Sequence, residues 1–92
     1  MNDTENDKRL KRLKYRANHR GIKEMDIILG GFANARLDAL SAEELDDFEN
    51  LMQENDRDLL MWFTGEAEFP HEALQNIFRI VSDHLAPHSQ NA

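Results

Sequence analysis

Apolar residues in this chain recur at three- and four-residue spacing in short blocks, and nowhere alternate over a run long enough for a strand. Met25, Ile28, Leu29 and Phe32 form one block, Leu45, Phe48, Leu51 and Met52 a second, and Leu74, Ile77, Phe78, Val81 and Leu85 a third. That period sets each group along one side of a helix. Such a chain buries its apolar surface helix on helix, so the expected fold is all-α, a compact bundle of about five short helices.

Punctuation between the blocks places the helices. A first is expected over 8–17, with Leu10, Leu13 and Ala17 inward, and Gly21 offers a break or C-cap after it because it lacks a Cβ. A second is expected over 22–35, where Gly30-Gly31 costs roughly 1 kcal/mol per residue in helix propensity and calls for a kink or a close helix contact. Ser41-Ala42-Glu43-Glu44 reads as a capping box opening a third helix, with Glu43, Asp46, Asp47 and Glu49 toward water or a partner. Asp56-Arg57-Asp58 is expected to cap a fourth helix that runs to about residue 64 and stops at Gly65, and Pro70 to open a last one over 71–85. The expected core is Met25, Ile28, Leu29, Phe32, Leu45, Phe48, Leu59, Phe63, Leu74, Ile77, Phe78 and Val81.

A length of 92 residues allows one core. The organisation is read as a flexible segment at 1–7, a helical domain at 8–85 and a flexible tail at 86–92. No cysteine is present, which excludes disulfide staples and thiolate ligands and fits a reducing compartment. The acidic start, Met1-Asn2-Asp3-Thr4-Glu5-Asn6-Asp7, lacks the order of a secretory signal, and the longest apolar stretch, Leu59-Leu60-Met61-Trp62-Phe63, is far below the roughly 20 residues of a membrane span. A protein of the cytoplasm is expected.

Charge is segregated. Residues 1–24 carry eight Lys/Arg against four Asp/Glu, and the rest carries three against fourteen, within a net charge of −7. Lys8, Arg9, Lys11, Arg12, Lys14, Arg16, Arg20 and Lys23 can steer the chain toward an acidic partner or a polyanion, or simply solvate a helix face. The acidic remainder and the scarcity of aromatics beside the cations weigh against nucleic acid.

Searching for chemistry leaves one constellation. The four histidines lack metal-ligand spacing, no His-Glu-x-x-His motif occurs, Gly30-Gly31 lacks the other glycines of a dinucleotide loop, and no nucleophile is paired with a base, so neither a metal, a tightly bound cofactor nor an enzyme is expected. Arg20 and Glu24 stand four apart in His19-Arg20-Gly21-Ile22-Lys23-Glu24-Met25-Asp26. As an ordinary surface pair they contribute about 0.2–0.5 kcal/mol. As a docking site, Arg20 offers its planar donors to a carboxylate or carbonyl of another protein, Gly21 lets backbones approach at an exposed position, Glu24 answers a cationic or amide group, and Lys23 and Asp26 form the rim.

Arg20-Gly21-x-x-Glu24, followed by Met25-Asp26-Ile27-Ile28-Leu29 and Phe32, Leu40-Ser41, Phe48-Glu49 and Asp56-x-Asp58-Leu59-x-x-Trp62-x-x-Gly65, resembles the SdhE family of succinate dehydrogenase flavin assembly factors over residues 9–82. The resemblance implies a small helical protein that binds the flavoprotein subunit of succinate dehydrogenase, and sometimes that of fumarate reductase, and promotes covalent attachment of FAD to a histidine of that subunit. The FAD belongs to the client. It also implies that Arg20, Gly21 and Glu24, with Asp26 beside them, carry the contact, and that Asp56, Asp58 and Trp62 form a secondary surface. An antitoxin-like regulatory adaptor or a polyanion-binding protein is the alternative function. Two positions depart from the family pattern: Asn18 stands where an aromatic residue is common, removing an apolar contact beside the motif, and Arg57 stands where proline is common between the aspartates, which leaves Asp56 as a cap.

Overall fold

The computed structural model describes residues 4–85, and these form five main helices without a strand. Helix α1, Glu5–Asn18, begins earlier than the apolar period suggests. Thr4 and Asp7 form a reciprocal capping box: the Asp7 amide donates to Thr4 Oγ1 at 3.1 Å and the Thr4 amide to Asp7 Oδ2 at 3.4 Å. Residues 5–7, expected to be a flexible segment, are therefore helical. The tail expected at 86–92 lies outside the described residues.

Helix α2 spans 23–36 in three continuous pieces, an α-turn Lys23–Met25, a π-turn Asp26–Gly30 and an α-helical Gly31–Arg36, and a 3₁₀ turn Leu37–Ala39 closes it. The two glycines divide the roles expected of them. Gly30 is where α1 and α2 meet: a Cβ there would stand 2.5 Å from Asn18 Oδ1 and 3.2 Å from Asn18 Cα, whereas a Cβ on Gly31 would meet nothing within 4 Å. Asn18 donates Nδ2 to Lys14 O within α1 at 2.8 Å and bridges to α2 through Asn34 Oδ1 at 3.1 Å. Gly30→Ala is accordingly expected to cost about 1–3 kcal/mol by overpacking this crossing. Gly31→Ala should be neutral or stabilising, since it relieves only helix propensity. Urea denaturation of the pair checks the contrast, and Asn18→Ala should recover part of the Gly30→Ala loss.

Helix α3, Ala42–Leu51, starts at the expected capping box, with the Glu44 amide donating to Ser41 Oγ at 3.1 Å and the Ser41 amide to Glu44 Oε1 at 2.9 Å. Helix α4, Asp56–Thr64, stops at Gly65 with φ +84°. Its cap differs from the expectation: Asn55 Oδ1 accepts from the amides of Arg57 at 2.8 Å and Asp58 at 3.3 Å, while the Asp56 carboxylate turns to Arg20. An amide side chain can cap without forfeiting a charge that an internal cation needs.

After Pro70 the chain makes a 3₁₀ turn, Glu72–Leu74, before the regular helix α5, Gln75–Leu85, because the Leu74 amide bonds to His71 O three residues back. Phe69, in the preceding loop, joins the core. It stacks on Phe78 at 4.2 Å between centroids, and Phe78 in turn stacks on Phe63 at 4.7 Å.

Leu13, Met25, Leu29, Phe32, Leu37, Phe48, Leu51, Leu59, Ile77 and Val81 are the largest fully buried side chains, and among the described residues no buried side chain is polar or charged. Of the expected core, Ile28, Phe63, Leu74 and Phe78 are half-buried, packed on its margin. The acidic face of α3 is not left to water alone. Arg9 on α1 bonds Asp46 Oδ1 and Glu49 Oε1, each at 2.8 Å, and Arg16 approaches Glu49 at 3.6 Å. The hydrogen bonds from Asp46 and then Glu49 raise the Arg9 pKa above its ordinary value.

Candidate functional site

The connection from α1 to α2 is a polar corner held from below by Arg20. Its side chain is 12% exposed, and each of its three guanidinium nitrogens donates inside the chain: Nε to Asp56 Oδ1 at 2.7 Å, Nη1 to Met52 O at 2.6 Å and Nη2 to Glu54 O at 2.9 Å. Asp56 opens α4, and the two carbonyls lie in the turn between α3 and α4, where they follow the end of a helix and so have no continuing helical donor. Guanidinium geometry suits a carboxylate and two carbonyls arranged as a fork.

The sequence reads as Arg20 offering its planar donors to another protein; the structure shows three of them taken up within the chain. The acceptor chemistry is the one anticipated, a carboxylate and carbonyls, but the groups belong to the same chain. Asp26, expected on the rim of the contact, is also engaged within the chain. It is half-buried, and its carboxylate accepts the Arg20 amide, so the π-turn that it opens is tied back to the corner.

Between these two anchors, Gly21 is exposed and has φ +116°, a conformation that side chains with a Cβ rarely adopt. Space is not the reason for glycine, because a Cβ would reach only Asp56 Oδ2 at an ordinary 3.6 Å. Lys23 and Glu24, on the first turn of α2, are exposed. Ile27, one turn further on and outside the reading of candidate residues, is 63% exposed. Its signal was its position off the Met25, Ile28, Leu29, Phe32 stripe.

The secondary surface is divided. Asp56 belongs to the corner, through Arg20. Asp58 is exposed, and Trp62 lies about 240° around α4 from Asp56 at 100° per residue. Trp62 is half-buried, edge-on to Phe69 at 5.0 Å and to His71 at 5.5 Å, so its role here is packing of the loop before α5. The three do not form one face.

A shallow cleft of about 250 Å³ adjoins the corner, lined by Tyr15, Arg16, His19, Arg20 and Asp56. Among the described residues, no group of three histidine, aspartate or glutamate side chains is placed to hold a metal ion, and no helix is long and apolar enough to cross a membrane. Half of the basic group is neutralised internally: Arg9, Lys14, Arg16 and Arg20 each pair with an acid of the chain.

What the fold and this site define is a class, a small all-helical protein that presents a preformed polar corner on a rigid scaffold. The chain belongs to the family described as flavinator of succinate dehydrogenase, which it matches over residues 11–85. It is 46% identical over 76 residues to a protein of Acetobacter pasteurianus named FAD assembly factor SdhE, covering 82% of this chain and 70% of that one. Mitochondrial proteins named succinate dehydrogenase assembly factor 2 are similar too. The one from Schizosaccharomyces japonicus is 40% identical over 82% of this chain and 53% of its own length, and the one from Dictyostelium discoideum 33% identical over 88% and 57%. The chain thus spans little more than half of these mitochondrial relatives. No solved structure matches it significantly.

Proposed function

We propose that this chain binds the flavoprotein subunit of succinate dehydrogenase, and also that of fumarate reductase, and promotes covalent attachment of the client's FAD in the cytoplasm. The observation that carries the reading is the 46% identity across 82% of the chain to a protein named FAD assembly factor SdhE. The corner supplies the physical means. Gly21, Lys23 and Glu24 face outward on a backbone that Arg20 and Asp26 hold from within, so a partner meets a surface whose ordering entropy is already spent.

Its contribution is positional. The flavin supplies the reactive carbon and the client supplies the acceptor histidine, and this chain needs only to hold the client in the conformation that opposes them. No side chain of the corner has to enter the reaction. The internal pairing of Arg9, Lys14, Arg16 and Arg20 leaves less positive charge for a polyanion than the sequence alone suggests.

The reading is tested by mixing purified chain with FAD-loaded flavoprotein subunit and measuring the rate at which flavin becomes covalently bound, against the subunit alone. An unchanged rate, together with no complex, would sink it. Within that assay Glu24→Ala is expected to raise the Kd about tenfold, about 1.4 kcal/mol, while shifting folding stability by no more than about 0.5 kcal/mol. Glu24 is exposed and makes no hydrogen bond or ion pair among the described residues, so its loss should be read only at the interface.

A further inference from the structure

We infer that the outward face of α1, formed by Lys8, Lys11, Arg12, Tyr15 and His19, is an electrostatic docking face for an acidic patch on the client protein. The inference rests on the assembly reading above and extends the contact beyond the corner. Residues 8, 11, 12 and 15 fall within an arc of about 100° on α1, and His19 is the residue that caps its C-terminus. All five are exposed, and Tyr15 is 65% exposed.

The rest of α1 accounts for its other cations. Leu13 and Ala17 point into the core, Arg9 and Arg16 on one flank pair with Asp46 and Glu49, and Lys14 on the other pairs with Asp38 at 3.0 Å. The crest cations Lys8, Lys11 and Arg12 make no ion pair among the described residues. Lys8 and Arg12 are four apart and Lys8 and Lys11 three apart, and like charges at such spacing disfavour a helix, so their mutual placement does not itself stabilise α1. The chain is otherwise strongly acidic, with a charge of −11 over residues 25–92, and the crest gathers three cations that no ion pair among the described residues uses.

At the end nearest the corner, Tyr15 and His19 stack with ring centroids 4.1 Å apart and planes 22° from parallel. His19 Nδ1 lies 2.8 Å from Tyr15 O, a bond that makes Nδ1 the donor and leaves Nε2 for a partner. An exposed, held tyrosine is a common anchor of protein interfaces. His19 leads directly to Arg20 and Gly21, so the crest and the corner make one surface.

Protein is the occupant that these features favour. Leu13 and Ala17 are buried, so the crest carries no apolar wedge for a bilayer, and it has a single aromatic pair where a nucleic acid strand asks for successive stacking platforms. An extended polyanion would also meet the acidic remainder of the chain. A compact acidic patch needs only the crest, which is about 17 Å long from residue 8 to residue 19 at 1.5 Å per residue.

The test compares wild type with K8E/K11E/R12E and K8Q/K11Q/R12Q for association and dissociation on immobilised, FAD-loaded flavoprotein subunit across a salt series. At low salt the reversed variant should associate about tenfold more slowly, the glutamine variant should fall between, and the three should converge at high salt with similar dissociation rates. Tyr15→Ala should instead speed dissociation. Circular dichroism confirms that each variant is folded. Equal association rates and equal salt slopes in folded variants would overturn the docking face while the assembly reading stands, since binding itself persists. A wild-type chain that does not bind the subunit would overturn both. Loss of binding to anionic vesicles or to an oligonucleotide, with client association unchanged, would also overturn it by assigning the face to another macromolecule.

Discussion

Replacing Arg20 by alanine is expected to lower folding stability by about 3 kcal/mol, the lower end for removing one partner of a buried ion pair. The low end applies because Asp56 keeps 20% of its side chain in water. Alanine leaves that carboxylate without its cation and leaves Met52 O and Glu54 O without the donors that Arg20 supplies. Against a typical total of about 5–15 kcal/mol the loss is large. Arg20→Lys should cost about 1–2 kcal/mol, since a single ammonium keeps the charge but cannot span three acceptors set out as a fork. Chemical denaturation gives both values. Flavinylation of the client should fall in step with the folded fraction in these variants, whereas in Glu24→Ala it should fall in a fully folded protein. An Arg20→Ala variant as stable as wild type would mean that the arginine is no strut.

Gly21→Arg is expected to abolish most client binding and to cost about 1–3 kcal/mol of stability, because it forces a side chain into a left-handed backbone conformation. The new guanidinium would also emerge beside Asp56, whose Oδ2 lies 3.6 Å from the Cβ position, and compete there with Arg20. Gly21→Ala separates the two effects. It carries the same backbone strain with room for its methyl, so it should lose similar stability yet flavinylate the client once corrected for the folded fraction. Truncating or blocking a buried interface contact costs about 2–5 kcal/mol, enough to dissolve a transient complex. A folded Gly21→Arg protein with wild-type affinity would remove Gly21 from the contact.

The elements of this fold were legible wherever a signal acts within one turn of chain. The Ser41 and Glu44 box, the Gly65 stop and the apolar stripes of α2, α3 and α5 each depend on residues three or four apart, and the structure has them there. Even the cost of Gly30-Gly31 pointed correctly to a close helix contact, which occurs at Gly30. The early start of α1 was missed because Thr4 and Asp7 precede the first apolar residue of its stripe. Phe69 was missed because a single aromatic residue in a loop has no period.

The candidate site was legible as a set of residues and not as an arrangement. Sequence by itself determined that a short corner near residues 18–21 joins two helices, with a glycine able to take a positive φ and with charged residues on either side. It also determined that the cations gather in α1 and the acids beyond it. Tertiary structure alone decided which of these charges remain available. Arg20 meets acceptors 32 to 36 residues away, and Arg9 meets Asp46 and Glu49 across two helices. Such pairings depend on the crossing of helices packed through their apolar faces, which no local spacing encodes. The same crossing turns Arg20 inward as a brace, leaves Gly21 and Glu24 outward, and leaves Lys8, Lys11 and Arg12 without an ion pair among the described residues, because a long cationic side chain settles on whichever carboxylate or carbonyl the packed backbone brings within reach.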